Sequence, residues 1–197
     1  MRAVYKPTRG ERPLDDFPSG TLANREVAAF AMSEATGWGI VPPTILRDGP
    51  LGRGMVQLWI EHDAEADVIE MITTDDERLR RICVFDILAN NADRKGGHLL
   101  PMADGHVYGV DHGICFAAEA KLRTVLWAWR GQPLAVEEAA VVRRVCDALE
   151  SDLARELGAL LSPAELAATR IRTEALLASG RFPQPDHDRP AVPWPPF

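Results

Sequence analysis

The spacing of apolar positions changes along the chain, and the change of period predicts its elements. Short apolar runs bounded by Pro or Gly predict strands over residues 2–6, 44–47 and 54–60. Apolar residues recur at helical spacing over 24–36, 75–89, 136–161 and 163–179. Gly37 is a plausible helix stop, and Ser162-Pro163-Ala164-Glu165 is a typical helix start. The pattern indicates a small sheet with one helix packed on it, followed by a mainly helical region.

A polar loop and a hairpin interrupt the helical region. The loop, residues 90–98, follows a buried helix, and two short strands over 98–101 and 106–110 follow around an Asp104-Gly105 turn. The second strand ends at Asp111, so Asp93 of the loop and Asp111 should face one cleft. Two such carboxylates suit phosphoryl transfer, because one orients or deprotonates a hydroxyl and the other holds magnesium against nucleotide phosphates. Lys6, on the first strand, could neutralise phosphate charge.

Composition and charge narrow the class of protein. With 46% hydrophobic and 26% charged residues among 197, the chain fits a globular domain, and it holds no apolar run of the ~18–20 residues that cross a bilayer. The N-terminus lacks the apolar core of a signal peptide, so we expect a cytoplasmic protein. The net charge of −7 argues against nucleic-acid binding. The chain has no basic amphipathic helix or lipidation motif for stable membrane anchoring.

Lysine and cysteine usage adds two details. Lysine occurs only three times, at positions 6, 95 and 121, although Lys and Arg together number 22. Because Arg does not replace every function of a compact ammonium group, the few lysines merit inspection. The three cysteines have no metal-type spacing, and Cys83 and Cys115 lie in apolar runs typical of buried thiols.

Four ordered segments carry a resemblance to a known superfamily. They are AVYKP at 3–7, REVAAFAMSEATGWGIVPPT at 25–44, DILANNADRKGGHLL at 86–100 and YGVDHGICF at 108–116. From Ala3 to about Pro133 the chain resembles the phosphoinositide 3-/4-kinase superfamily, in particular type II phosphatidylinositol 4-kinases and an actinobacterial branch of uncharacterised proteins. The resemblance implies an α+β, protein-kinase-like two-lobe fold with a truncated small β lobe and a mainly α-helical large lobe. Residues 1–61 would form the reduced small lobe, 62–180 the helical lobe with the catalytic loop, and 181–197 a Pro-rich tail.

The resemblance also implies a role for each matching residue. Lys6 would bind the nucleotide phosphates, with Glu26 as its ion-pair partner. Asp93 would be the catalytic aspartate, with Arg94 supporting its loop, and Asp111 would be a metal ligand. His98, at the position of the second metal-binding residue, would either help to bind the metal or a phosphate or have a structural role. The adenine pocket would be lined by Gln57, Leu58, Trp59 and Ile60.

The implied function is an ATP-dependent phosphotransferase that uses Mg²⁺ or Mn²⁺ and an alcohol acceptor. The acceptor stays open between a lipid, a protein and a small molecule, and adenylyl transfer uses the same cleft. The sequence departs from the family pattern at His98, where these kinases have Asn, and at His112. It also begins at the lysine strand, so we expect either that the true start lies further upstream or that the protein works without the phosphate-covering loop. The alternative is a catalytically weak or inactive nucleotide-binding pseudokinase or scaffold. A third interpretation is a structural protein whose Pro-rich tail docks on a protein partner.

Overall fold

The computed structural model describes residues 2–197, which form a mixed α/β structure. A three-stranded antiparallel sheet comes first in the chain. Its strands are β1 (Ala3–Pro7), β2 (Thr44–Gly49) and β3 (Gly52–Leu58), in the spatial order β1-β3-β2. The register sets Lys6 of β1 opposite Met55 of β3. The predicted strands are therefore confirmed, although β3 ends two residues earlier than the pattern suggested.

Helix α1 (Leu22–Thr36) lies between β1 and β2 in the chain and packs on the sheet. Its small residues Ala28 and Ala29 are fully buried, as is Met32. Gly37 ends the helix in the left-handed conformation, with φ 65°, which glycine adopts without a Cβ clash. The stop predicted from the sequence is thus confirmed.

The apolar core of the larger part is built around α3 (Arg80–Ala89). Every residue from Ile82 to Ala89 is buried, including one acidic side chain, Asp86. A short helix α2 (Val68–Thr73), which the sequence pattern did not predict, and a 3₁₀ turn at Glu77–Leu79 precede α3. The predicted hairpin follows it as β4 (Leu99–Pro101) and β5 (Val107–Gly109).

Three helices complete the core. They are α4 (Val136–Leu149), α5 (Asp152–Gly158) and α6 (Pro163–Ser179). The helical stretch predicted over 136–161 is therefore divided near Ser151, because Ser and Asp favour helix ends over helix interiors. The capping box predicted at Ser162 and Glu165 is confirmed, since each side chain accepts the other's backbone N–H. Helix α6 ends at Ser179, and the next residue, Gly180, has a left-handed backbone conformation.

The remaining residues carry little regular structure. Residues 181–197 contain no helix, in agreement with an extended Pro-rich tail. Cys83 and Cys115 are buried free thiols, as predicted. Within the described residues, no helix has both the length and the apolar character needed to cross a bilayer.

Candidate functional site

Lys6 is the centre of a charged cluster formed by three separate segments. Strand β1 carries Lys6 to the N-terminal half of α1 and to the residue that follows the β4–β5 hairpin. Its Nζ donates to Glu26 Oε1 at 2.8 Å and to Asp111 Oδ1 at 2.7 Å. Lys6 is therefore in direct contact with Glu26 and with Asp111, two of the other residues predicted to bind nucleotide or metal.

Glu26 is the buried member of the cluster. Its side chain is 2% exposed, and its second oxygen accepts the backbone N–H of His112 at 2.9 Å. Burial raises the pKa of Glu26, while Lys6 acts in the opposite direction. Glu26 thus joins α1 both to the β1 lysine and to the segment that carries Asp111.

Asp111 has a left-handed backbone, with φ 61°. Such a conformation is unfavourable for a residue with a Cβ and persists only when surrounding contacts maintain it. Burial acts to raise the pKa of Asp111, but Lys6 and His98 outweigh it and the pKa is lowered. For Lys6, burial acts to lower the pKa, yet Glu26 and Asp111 together raise it. The cluster therefore holds a charged ammonium beside a charged carboxylate.

His98 completes the cluster on the side of the polar loop. Its Nε2 lies 3.5 Å from Asp111 Oδ2, and its buried Nδ1 has no hydrogen-bond partner among the described residues. Burial lowers the pKa of His98, although Asp111 opposes this effect. A neutral imidazole beside a carboxylate is a donor pair that a divalent cation can use. Two donor atoms at about 2.1 Å from one octahedral ion lie about 3 Å apart, so His98 and Asp111 would have to approach each other by about 0.5 Å to share a cation.

The cation would need further ligands from outside the protein. Among residues 2–197, no group of three or more His, Cys, Asp or Glu side chains could hold a metal ion. Magnesium sites commonly use one or two protein carboxylates together with phosphate oxygens of the substrate. The donor set of Asp111 and His98 matches that kind of incomplete site.

The loop that follows α3 presents Asp93. The Asp93 backbone N–H donates to Asn91 Oδ1 at 3.0 Å, and the Asp93 carboxylate lies 3.5 Å from Lys95 Nζ. Asn90 braces the same loop through the carbonyls of Ala117 and Glu119, as expected for an Asn in a polar loop.

Arg94 lies behind this loop and is fully buried. Its guanidinium pairs with Asp86 at 2.8–2.9 Å, contacts His112 Nε2 at 2.6 Å and donates to the Val110 carbonyl at 3.2 Å. Burial acts to lower the pKa of Arg94, but Asp86 raises it. Burial, together with the positive charge of Arg94, holds the pKa of His112 well below its usual value. Arg94 therefore links the loop of Asp93 to the segment of Asp111.

Sequence reasoning missed Asp86 and the linking role of His112. The only signal for Asp86 was its place on an apolar helix face. A buried charge there is costly without a partner of opposite charge, so this position could have indicated a buried ion pair. For His112, the only signal in the sequence was that this position departs from the family pattern.

The residues predicted to line an adenine pocket lie at the end of β3. Gln57 is buried and donates through its side chain to Thr44 Oγ1 at 2.8 Å. The backbone N–H of Leu58 donates to Pro43 O, and that of Trp59 to Arg2 O. Within residues 2–197, the N–H of Ile60 has no backbone partner. Of this stretch, the backbone after Trp59 is therefore the part still available to a ligand.

A cavity of about 370 Å³ lies against the charged cluster. Lys6, Glu26 and Asp111 line it together with Leu22 and Met55. Asp93 is not part of the lining, although its negative charge acts to raise the pKa of His98. The Lys6 ammonium lies between the carboxylates of Glu26 and Asp111 and next to an open cavity. This arrangement suits the binding of a polyanion that carries its own metal ion.

The chain was compared with known proteins and protein families. No protein-family model matches the chain. Phosphatidylinositol 4-kinase gamma 4 of Oryza sativa is 27% identical over 197 residues, and the protein of that name from Arabidopsis thaliana is 28% identical over 190 residues. These alignments cover 89% and 82% of this chain but only 35% and 33% of the plant proteins. The similarity is distant and indicates a kinase-related family.

A much stronger similarity covers the whole chain. Protein Rv2133c of Mycobacterium tuberculosis is 44% identical over 232 aligned positions, which include 100% of this chain and 83% of that protein. The chain belongs to the family of Mycobacterium tuberculosis protein Rv2133c.

Proposed function

We propose that this protein is an ATP-dependent phosphotransferase that moves a phosphoryl group to an alcohol acceptor, on a two-lobe protein-kinase-like fold. The observation that carries the proposal is the double ion pair of Lys6 with Glu26 and Asp111. These residues are 20 and 105 positions from Lys6 in the chain, yet both carboxylates contact its ammonium group. A structural surface lysine needs neither partner.

In this proposal Lys6 binds the nucleotide phosphates and Glu26 holds it in position. Glu26 is buried and also bound to the His112 backbone, so it is a rigid partner. Asp111 is half-exposed beside the cavity, where it can exchange its contact with Lys6 for a contact with a metal ion. The lysine would then be free to contact phosphate.

Asp111 and His98 would hold Mg²⁺ or Mn²⁺. The bound cation would neutralise negative charge on the phosphates. Carboxylate and imidazole together suit Mn²⁺ better than Mg²⁺, because imidazole is a softer donor than oxygen. The backbone after Trp59 would contact the adenine, at the end of the Gln57–Ile60 stretch.

Asp93 would orient the acceptor hydroxyl and accept its proton. Arg94 would act through the loop, since its pair with Asp86 and its bond to the Val110 carbonyl fix the two segments relative to each other. Most of the catalysis would then come from positioning and charge neutralisation.

The comparisons support the reaction class more than the acceptor. The plant relatives are named for a phosphatidylinositol substrate, and this chain spans only about a third of them. A lipid, a protein hydroxyl and a small soluble alcohol all fit the proposed chemistry.

Binding of nucleotide without transfer is the second candidate function. Lys95 approaches the Asp93 carboxylate to 3.5 Å, and a histidine stands beside Asp111. Both features would weaken an acceptor base or a second metal site without preventing nucleotide binding.

The first test is calorimetric titration of ATP into the purified protein with Mg²⁺, with Mn²⁺ and with EDTA. We expect metal-dependent binding that Asp111→Asn weakens by at least about tenfold, because a charge-assisted contact is lost. Asp48→Asn, at an exposed position of β2, is the matched control and should bind like wild type. A well-folded protein that binds no ATP under any of these conditions would end the proposal.

The second test separates transfer from binding alone. Asp93→Asn should keep the affinity for the metal–ATP complex and lower phosphoryl transfer to water or an added alcohol by at least about a hundredfold. Wild-type protein that binds ATP and turns over no faster than Asp93→Asn would establish the second candidate instead.

A further inference from the structure

A second and larger cavity is bordered by Asn90 and Ala92, which belong to the loop that carries Asp93. Its volume is about 630 Å³, within the usual range of small-molecule sites. Among the described residues, none lines both this cavity and the one beside Lys6. Its walls come from the end of α3, from α6, from residues 120–127 and from the tail, and they are largely apolar: Phe17, Ile87, Ile114, Trp127, Leu176 and Phe182.

Basic side chains surround this apolar cavity. Five of its lining residues are basic and two, Asp16 and Asp186, are acidic, although the whole chain has a net charge of −7. Lys121 pairs with Asp16 at 2.7 Å, and Arg189 lies 3.5 Å from Glu119. The other three, Arg123, Arg172 and Arg181, have no carboxylate oxygen within 4.0 Å in the part of the chain that the structure describes.

Hydrogen bonds of these three arginines go to neutral oxygens. Arg123 donates to Ala92 O, and Arg181 donates to Gly131 O. Arg172 donates to Leu88 O and to Thr169 Oγ1. Within residues 2–197, none of the three is therefore in a direct ion pair with an acidic side chain, and Asp16 acts on Arg123 only from a longer distance.

Arg172 is the most informative of the three. Burial lowers its pKa to about 10, which reflects a guanidinium removed from water without a carboxylate in return. The Leu88 carbonyl, near the end of α3, offers only a partial negative charge. An anion inside the cavity would supply the missing compensation.

We propose that this cavity binds a monomeric amphipathic anion, a carboxylate or phosphate group attached to one apolar chain or ring. The anionic group pairs with Arg172 and its basic neighbours, and the apolar body lies among the six apolar residues named above. The excess of basic side chains favours a ligand with an anionic group, and the apolar lining favours a ligand with an apolar body. A neutral apolar molecule would leave the arginines uncompensated, and inorganic phosphate would leave the apolar walls exposed to water.

Decanoate and decyl phosphate, used below the concentrations at which they form micelles, are suitable probes for the two head groups. Calorimetric titration into the full chain should give saturable binding of at least one of them, at least about tenfold tighter than binding of decanol. Inorganic phosphate alone should bind weakly. Equal affinities for decanol and for both anions would overturn the proposal, as would no binding of either anion.

Two pairs of variants locate the site. Arg172→Met should weaken anion binding by at least about tenfold, whereas Arg170→Met should not. Arg170 is a matched control because it lies on the same helix and likewise donates to a carbonyl at the end of a helix, Leu149 O, but does not line the cavity.

The second pair remains informative if Arg172→Met does not fold. Ala175→Trp keeps Arg172 and fills the cavity from α6, while Ala178→Trp places the same bulk on α6 outside the lining. We expect Ala175→Trp to abolish binding and Ala178→Trp to preserve it. Unchanged binding in a folded Ala175→Trp variant would show that the anion binds elsewhere.

Discussion

At the scale of single residues, the buried pair of Asp86 and Arg94 does most to define the candidate site. Arg94 could be assigned from the sequence as a support for the Asp93 loop, and its contacts with His98 O and Val110 O agree with that assignment. Its carboxylate partner could not be assigned, because the conformation of the seven intervening residues decides which acidic side chain it meets. A helix pattern identifies a buried face but not which polar residue on that face is paired.

Asp86→Asn tests this pair. The variant removes the negative charge and leaves the Arg94 guanidinium buried, so we expect the free energy of unfolding to fall by about 3–5 kcal/mol. Urea denaturation followed by circular dichroism measures the change. Asp152→Asn, which breaks an exposed pair with Arg155, is the control and should cost about 0.5 kcal/mol or less. A loss as small as the control's for Asp86→Asn would mean that the pair does not stabilise the loop.

The cysteines give a second test at this scale. Burial raises the pKa values of the Cys83 and Cys115 thiols well above their usual range, so both should be unreactive in the folded protein. Cys146 is only partly buried. Ellman's reagent should therefore modify one thiol in the native protein and all three in denaturant. Cys146→Ser should remove the native reaction, and a remaining fast thiol would contradict the buried positions.

At the scale of elements, helix ends that carry a local signal were predictable, whereas the break near Ser151 and the partners of each helix were not. The signals at Gly37, Ser162 and Gly180 are local, and each marks a helix end in the structure. The pairing of Glu165 with Arg25 joins the start of α6 to α1 across 140 positions. The capping box explains why Glu165 is at that position, but only the packing of α6 near α1 gives it a second partner.

Glu165→Gln measures what this junction contributes. Burial acts to raise the pKa of Glu165, but the Ser162 N–H and Arg25 outweigh it and the pKa is lowered. A lowered pKa in the folded state means that the carboxylate stabilises the protein at neutral pH and loses this effect as it becomes protonated. We expect Glu165→Gln to cost about 3 kcal/mol at neutral pH, since Arg25 is left buried and unpaired.

The pH dependence distinguishes the ion pair from a simple packing defect. The difference between wild type and Glu165→Gln should shrink as the pH falls below the ordinary pKa of Glu and then through the lowered pKa of Glu165, because the protonated side chain is neutral like Gln. Glu174→Gln, an exposed substitution on the same helix, is the control and should change stability little at any pH. A difference that stays constant down to acidic pH would argue against the ion pair.

At the scale of the whole molecule, the site depends on segments that the chain order keeps apart. The sequence predicted β1, α1, the polar loop and the hairpin as separate pieces, and the structure brings Lys6, Glu26, His98 and Asp111 together. No local pattern could predict that the tail also reaches this region. The backbone N–H of Gly96 donates to Pro196 O at 2.8 Å, so the last residues of the chain lie on the loop that carries Asp93.

Gly96→Ala is expected to displace the tail from this loop. A Cβ at Gly96 would lie 1.9 Å from the Phe197 ring, whereas a Cβ at Gly97 would meet nothing within 4 Å. The amides that donate to tail carbonyls are those of residue 96, to Pro196 O, and of Thr124, to Ala191 O. Hydrogen exchange at these two amides should therefore become faster in Gly96→Ala and stay as in wild type in Gly97→Ala. Adding Phe197→Ala to Gly96→Ala removes the clashing ring and should restore much of the protection of the Gly96–Pro196 contact. If the amides of residue 96 and Thr124 exchange equally fast in wild type and in Gly96→Ala, the contact with Phe197 does not hold the tail on this loop. The organisation of the Asp93 loop must then come from its internal contacts, those of Arg94 with Asp86 and those of Asn90 and Asn91.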